Sequence, residues 1–279
     1  MRAKLRTNGV HPFLRWAGGK SWLINTVHQL IQDVPFTNYY EPFLGGGAIF
    51  FSLPVKNGTA LLSDANKELI DTYIAVRDNP DAVIQHIRKY VYSEEFYYDL
   101  RAQEPKELFE RAARFIYLNH TSYNGLYRVN KQGKYNVPYG HKKNVKIDLD
   151  GIRAASNALQ GCVLTSGDFE NRVDAVSKDT LVFLDPPYTV SHNNNGFISY
   201  NQHIFSIEDQ RRLAEYIKYI DSVGAYFILT NAAHDAIREI FGECGRVIEV
   251  ERQSLIGGKN ARRGLAQELV FTNITAKEC

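Results

Sequence analysis

Cysteine is scarce in this chain: Cys162, Cys244 and Cys279 are the only three in 279 residues, odd in number and far apart. That argues against a disulfide framework and against a cysteine-based zinc site, and for a reducing compartment. Long apolar runs are missing too. None reaches the roughly 20 residues that span a bilayer, and the opening MRAKLRTNGVHPFLRW lacks the apolar centre of a signal peptide. The expected location is therefore the cytoplasm. The eight histidines offer no pair at metal-ligand spacing beside a third ligand, so no metal is expected. There is no internal repeat and no low-complexity tract. With 44% hydrophobic and 23% charged residues, the chain reads as an ordinary soluble globular protein, long enough for one large domain or a domain with a sizeable insertion.

A further absence is local. Net charge is only +2, yet Arg111 to Lys146 holds eight Lys or Arg and no acidic residue. The same window carries Tyr117, Tyr123, Tyr127, Tyr135 and Tyr139, with Asn119, Asn124, Asn130, Asn136 and Asn144. A charge run is ordinarily a solvated face. A basic window without a compensating carboxylate, rich in aromatics and amides, fits a polyanion better, and nucleic acid is the expected partner.

Apolar strand-like runs recur in YYEPFLGGG, TALLSDAN, GCVLTSGDF, TLVFLDPPY and AYFILTN. Helical patterns lie between several of them, in KSWLINTVHQLIQ, ANKELIDTYIAVR and IEDQRRLAEYIKYI. Alternating strands and helices predict an α/β fold with a mostly parallel sheet. At the end, RVIEVERQ and LAQELVFTN are joined by SLIGGKNARRG, too short for a crossover helix, which predicts an antiparallel hairpin closing the sheet edge. The stretch 67–154 interrupts the alternation and reads as an insertion between the second and third strands.

Two turns carry chemistry. EPFLGGGAIFF, from Glu41 to Phe51, sets three glycines between a strand and a helix, where ligands of open α/β sheets bind. Asp64 ends the next strand, a position from which a carboxylate bonds the hydroxyls of a ribose. No phosphate loop accompanies them, because WAGGKS has the wrong glycine spacing. In FLRWAGGK, Trp16 is either a core residue at a helix start or part of a lid over a ligand, with Lys20 offering charge to a carboxylate. SGDF, containing Asp168 and Phe169, could bracket an adenine. LVFLDPPYTV drives a buried strand into Asp185, Pro186, Pro187 and Tyr188, and proline forces the strand to stop there.

FLRWAGGK, EPFLGGG, SDAN, a basic insertion with YNGLYRVN and GKYNVPYG, GDF and DPPY follow one another in this order. That succession resembles the DNA adenine-N6 methyltransferases of the Dam type over nearly the whole chain, from about Phe13 to Asn273. The resemblance implies a Rossmann-like S-adenosylmethionine-dependent methyltransferase sheet of seven strands with the last antiparallel, plus a mainly helical DNA-recognition insertion. Residues 1–66 and 155–279 would form the catalytic domain, and 67–154 the target-recognition domain. It implies S-adenosylmethionine as cofactor, with S-adenosylhomocysteine as product. The matching cofactor positions are Trp16, Ala17, Gly18, Lys20, Glu41, Pro42, Phe43, Gly45, Asp64, Asp168, Phe169 and Asp185. Double-stranded DNA is the implied partner, met by Arg15, Tyr123, Asn124, Leu126, Arg128, Asn136, Pro138, Lys142 and Lys143. A monomer suffices for one methyl per binding event. Where many relatives carry Gly-Arg-Tyr after NVP, this chain has Gly140, His141 and Lys142.

DPPY then has a chemical reading. Adenine N6 is a poor nucleophile because its lone pair is delocalised into the ring. The Asp185 carboxylate and the Pro186 carbonyl each accept one N6 hydrogen, favouring a pyramidal nitrogen, while Tyr188 stacks on a base taken out of the duplex. Alignment and placed dipoles supply most of the acceleration. No cysteine nucleophile is required, and Cys162 and Cys244 are expected to be buried small apolar residues. Phe197 and Tyr200, in the polar loop after the motif, are candidate covers for the base. Related tetrapeptides serve cytosine-N4 and glutamine-N5 transfer, so aspartate in the first position and the basic insertion are what favour adenine in DNA. A non-catalytic DNA-binding regulator would be expected to have lost Asp185 or Tyr188, and both are intact.

Overall fold

The computed structural model describes residues 10–53, 59–130, 132–142, 144–189, 205–253 and 265–275. Seven strands form one sheet: β1 (Asn38–Glu41), β2 (Ala60–Asp64), β3 (Val163–Ser166), β4 (Thr180–Leu184), β5 (Tyr226–Ala232), β6 (Arg246–Gln253) and β7 (Leu265–Thr272), in the order β3-β2-β1-β4-β5-β7-β6. β1, β4 and β5 are parallel neighbours, and β7 runs antiparallel to both β5 and β6. The expected terminal hairpin is present. Its second strand inserts beside β5 and leaves β6 at the edge. All five residues of β4 are buried, as an uninterrupted apolar run requires in a sheet covered on both faces.

The chain divides into two compact units. The first comprises residues 1–24, 44–56 and 62–168, the second 25–43, 57–61 and 169–279, so that β2 contributes to both. In the first unit, α2 (Ala48–Ser52) follows the glycine turn, and α3 (Lys67–Asp78), α4 (Pro80–Ile87), α5 (Glu94–Ala102), α6 (Leu108–Thr121) and α7 (Leu149–Leu159) lie between β2 and β3. Their starts obey local capping chemistry: Asn66, Asn79, Ser93 and Asp148 each accept a first-turn backbone N–H. α6 packs on α3 and α4, burying Phe115, Ile116, Tyr117 and Leu118.

The second unit holds α1 (Ile24–Ile31, from its second residue), α8 (Ile207–Ser222) and α9 (Asp235–Phe241). Its core joins Val182, Leu184, Phe227, Leu229, Leu269 and Phe271 of the sheet to Leu213, Ile217 and Ile220 of α8 and Phe241 of α9. Ser206 starts α8 with a capping box shared with Asp209. Cys162 and Cys244 are free and buried, as expected, and burial pushes the Cys162 thiol up to about 11. Among the described residues, no helix is long and apolar enough to cross a membrane, and no group of three or more His, Cys, Asp or Glu is arranged to hold a metal ion.

Candidate functional site

The glycine turn of the first unit is fastened from three sides. Leu44 donates its N–H to the Ser63 carbonyl, the Gly45 N–H is donated to Asp64 Oδ2 at 2.9 Å, and the Tyr73 hydroxyl is donated to the Gly45 carbonyl at 3.0 Å. Asp64 Oδ1 takes the Asn66 N–H at 2.9 Å. Each carboxylate oxygen thus holds one backbone donor and keeps acceptor capacity for another. Burial pushes the Asp64 carboxyl above its ordinary value, and the Asn66 and Gly45 N–H groups pull it part of the way back. A Cβ on Gly45 would meet Trp16 Cδ1 at 2.8 Å, and one on Gly46 would meet Trp16 Cβ at 3.0 Å. The indole therefore leaves no room for a side chain at Gly45, and the Trp16 Cβ leaves little at Gly46. Trp16 in turn stacks on Tyr127 and Phe115 with centroids 5.8 and 6.5 Å away. Lys20 is buried and donates to the Gly18 carbonyl, while Ala17, Gly18 and Asp168 are exposed.

The basic window, in the same unit, folds into a short ribbon whose bridges are Ser122 with Tyr139 and Val129 with Tyr135. Beside the Ser122 bridge, at the open end of the ribbon, Tyr123 is 54% exposed, and Asn124 takes a left-handed conformation (φ 54°) that its short amide side chain tolerates. The Tyr123 N–H is donated to the Pro138 carbonyl, joining the two arms. Arg128 Nε donates to Asn136 Oδ1 at 2.7 Å, which aims the guanidinium. Arg15 joins this group from far away in sequence: its N–H and C=O are both bonded by the Asn119 side chain, at 2.7 and 2.6 Å. Gly125 leaves room for it, since a Cβ there would lie 2.9 Å from Arg15 Cβ. Lys142 also lies near Arg15, and burial together with that charge lowers its pKa. Leu126 is half-buried and Pro138 exposed.

The window is less uncompensated than its sequence implies. Arg111 pairs with Asp71 and Lys134 with Glu104, while Arg114 is spent on the carbonyls of Leu100 and Arg101. The carboxylates come from α3 and from the connection after α5, both before the window, which a local charge count does not include. Lys143, Phe197, Tyr200 and the 254–264 connection lie outside the described residues.

In the second unit, the register pairs Leu184 of β4 with Leu229 of β5, so the next residues, Asp185 and Thr230, stand side by side. The Thr230 hydroxyl is donated to Asp185 Oδ1 at 2.7 Å. The Tyr188 hydroxyl reaches Glu268 Oε2 on β7 at 2.5 Å. Burial, then the charges of Asp185 and Glu268, hold that phenol well above its usual value, so it remains a donor. Pro186 is buried and Pro187 half-buried. Beyond the motif, Thr189, Gln210 and Asn231 form a buried chain of hydrogen bonds: Asn231 donates to Gln210 and Gln210 to Thr189, which donates to the Phe205 carbonyl. At the end of β1, Glu41 is buried and accepts from the Tyr39 hydroxyl at 2.6 Å, and buried Pro42 follows it. Phe43 and Phe169 pack together, centroids 5.5 Å apart, with Phe169 buried in the core and the Arg212 guanidinium 4.9 Å over its ring.

Residues 16–256 match the family model of the D12 class N6 adenine-specific DNA methyltransferases. The chain belongs to the D12 class N6 adenine-specific DNA methyltransferase family. Among curated relatives, it is 35% identical over 275 residues to the type II methyltransferase M1.LlaDCHI of Lactococcus lactis subsp. cremoris, covering 95% of each chain. It is 36% identical over 244 residues to the type II methyltransferase M.MjaIII of Methanocaldococcus jannaschii, covering 80% of this chain and 84% of that one. It is 30% identical over 269 residues to the DNA adenine methylase of Haemophilus influenzae, covering 93% and 92%. As a D12 class member it is an enzyme, an adenine-specific DNA methyltransferase, and the family implies S-adenosylmethionine as methyl donor and DNA as substrate.

Within this D12 class enzyme, sequence reasoning did not single out Thr230 and Glu268. Each had a signal. Thr230 is the first polar residue after the apolar FIL run of FILTN, and Glu268 is a lone carboxylate in LAQELVF. Only strand pairing reveals that both face DPPY.

Proposed function

We propose that this chain transfers the methyl group of S-adenosylmethionine to N6 of an adenine turned out of duplex DNA, with GATC as its target. The observation that carries the reading is the Asp185 carboxylate at the carboxyl end of β4, braced by Thr230 at 2.7 Å. A braced carboxylate oxygen accepts one N6 hydrogen and the Pro186 carbonyl the other, so the lone pair leaves conjugation and becomes available for transfer. Proline suits both positions because it fixes φ and brings no competing N–H. Tyr188 supplies the stacking face.

The donor set suits the cofactor. Asp64 keeps an acceptor site on each oxygen for ribose hydroxyls, Lys20 brings a cation for a carboxylate, and Asp168 is an exposed polar group for an adenine, next in the chain to Phe169, whose ring is buried in the core. Trp16, Ala17, Gly18, Glu41, Pro42, Phe43 and Gly45 complete the set. The bound cofactor supplies an electrophilic sulfonium methyl. The protein's part is to orient the amine and exclude water.

We assign target recognition to 67–154 and catalysis to 1–66 and 155–279. Arg128 suits guanine O6 and N7, Leu126 and Pro138 the thymine methyl, Tyr123 a wedge into the stack, and Asn124 the orphaned partner base. Arg15, Lys142 and Lys143 add basic contacts, and Asn136 aims Arg128. One copy of the chain suffices for each transfer. Incubation of the purified protein with duplex DNA and S-adenosylmethionine, followed by modified-base sequencing, tests the reading. N6-methyladenine in GATC is expected. A motif lacking GATC overturns the target, and N4-methylcytosine overturns the base.

A further inference from the structure

Tyr188 lies four residues past the end of β4, yet its hydroxyl ends on β7. Leu184 pairs with Leu229 of β5, and Ala232 of β5 pairs with Glu268, so the path from the end of β4 to the hydroxyl's partner spans β5. Two strand spacings amount to about 10 Å, which backbone and ring cover together. At the far end is a carboxylate only 2% exposed, followed in β7 by the buried Leu269 and Val270.

Burying a carboxylate in such a strand costs several kcal/mol unless its lone pairs are used. Here one oxygen takes the Tyr188 hydroxyl at 2.5 Å, the geometry of a strong hydrogen bond to a charged acceptor. The hydroxyl oxygen lies on the axis about which a tyrosine ring turns, so fastening it to Glu268 fixes the direction of that axis, and the preference of a phenolic O–H for the plane of its own ring then biases the ring plane before any base arrives. Burial, then the charges of Asp185 and Glu268, hold the phenol well above its usual value, so the hydroxyl stays a donor to the carboxylate.

We propose that Glu268 is a positioning residue for methyl transfer, acting through the Tyr188 hydroxyl to hold the ring in the plane against which the target adenine stacks. The proposal rests on the assignment of Tyr188 as the stacking ring. Through that ring Glu268 sets the tilt of the base, and hence the angle at which N6 meets Asp185. Thr230, bonded to Asp185 and also acting on the Tyr188 hydroxyl, ties the two halves of the arrangement together. A loosened ring leaves the cofactor and phosphate contacts untouched, so the effect falls on the transfer step and not on affinity.

The test measures single-turnover transfer from labelled S-adenosylmethionine to a GATC duplex, beside cofactor affinity by calorimetry, for Tyr188→Phe, Glu268→Ala, Glu268→Gln and the double variant Tyr188→Phe/Glu268→Ala. Tyr188→Phe and Glu268→Ala should each slow transfer by about 10- to 100-fold, as loss of a hydrogen bond to a charged group does. The double variant should be no slower than the slower single one, because both remove the same tether. Glu268→Gln keeps an acceptor and should restore the rate to within about fivefold of wild type. Multiplying losses in the double variant, a Gln variant no better than Ala, or a loss expressed in cofactor affinity would each overturn the proposal. Should Glu268→Ala fail to fold, Tyr188→Phe preserves the core volume and decides alone: an unchanged rate overturns it. A wild type that methylates no adenine fails on the stacking assignment itself, which is a separate result.

Discussion

Asp185 is a carboxylate whose direction is set by a hydroxyl on the neighbouring strand. Asp185→Ala should abolish transfer while leaving melting behaviour unchanged, because the side chain is half-buried and its loss opens no core cavity. Near-normal turnover would remove it from the reaction. Thr230→Val, nearly isosteric, removes the 2.7 Å brace together with the hydroxyl's contact to Tyr188, and should slow transfer by at least about tenfold, read in single-turnover assays. Asp64 gives a pH dependence. Burial raises its pKa, so acid protonates it sooner than an exposed aspartate and removes an acceptor from the ribose hydroxyls. A ligand whose donors prefer the carboxylate lowers that pKa on binding. Cofactor affinity should therefore rise with pH through the raised value and fall below it. Asp64→Ala should weaken binding by roughly 1–3 kcal/mol and flatten that dependence. Calorimetry across pH that gave parallel curves for both proteins would exclude the carboxylate.

Elements were legible in proportion to how local their causes are. Strands ending in YYE, LLSD, VFL and FILTN, and helices begun by Asn66 or Ser206, declare themselves through apolar runs and caps. The glycine turn is different. Three glycines suggested a backbone open to a ligand, and two of them are also crowded by Trp16, twenty-nine and thirty residues earlier. Gly45→Ala would meet the indole at 2.8 Å and would need φ +48°, so it should cost about 1–3 kcal/mol. It should also shift the emission of the two-tryptophan chain, because Trp16 is displaced. Gly133→Ala is the control. Its Cβ meets nothing within 4 Å, so only φ strain of about 1 kcal/mol remains, with no change in emission. Equal melting temperatures and spectra for the two variants would contradict the account.

At the scale of the molecule, the ribbon of 122–139 gathers basic and aromatic groups that the sequence lists separately. Lys142→Ala should weaken binding to all DNA alike and lower the salt slope by about one. Arg128→Ala should cost about 1–3 kcal/mol and relax the choice of base at one position. Asn136→Ala, which releases the guanidinium, should copy part of that loss. Titrations of cognate and scrambled duplexes over a salt series separate the two kinds. Equal salt slopes for Lys142→Ala and wild type would remove that phosphate contact.

The sequence by itself determined the alternation of strands and helices, the terminal hairpin, the family, and the place of Asp-Pro-Pro-Tyr at the end of a buried strand, because these depend on near neighbours in the chain or on motifs in a fixed order. It could not determine which cations of the basic window remain uncommitted. Asp71 and Glu104 neutralise Arg111 and Lys134 only once α3 to α6 have packed. Nor could it determine what braces the DPPY motif. Thr230 and Glu268 lie 45 and 80 residues beyond their partners, and a strand order in which β7 enters between β5 and β6 brings them there. Hydrogen bonds act over about 3 Å of space whatever the separation in sequence, so the motif was readable from its own residues and its support only from the folded sheet.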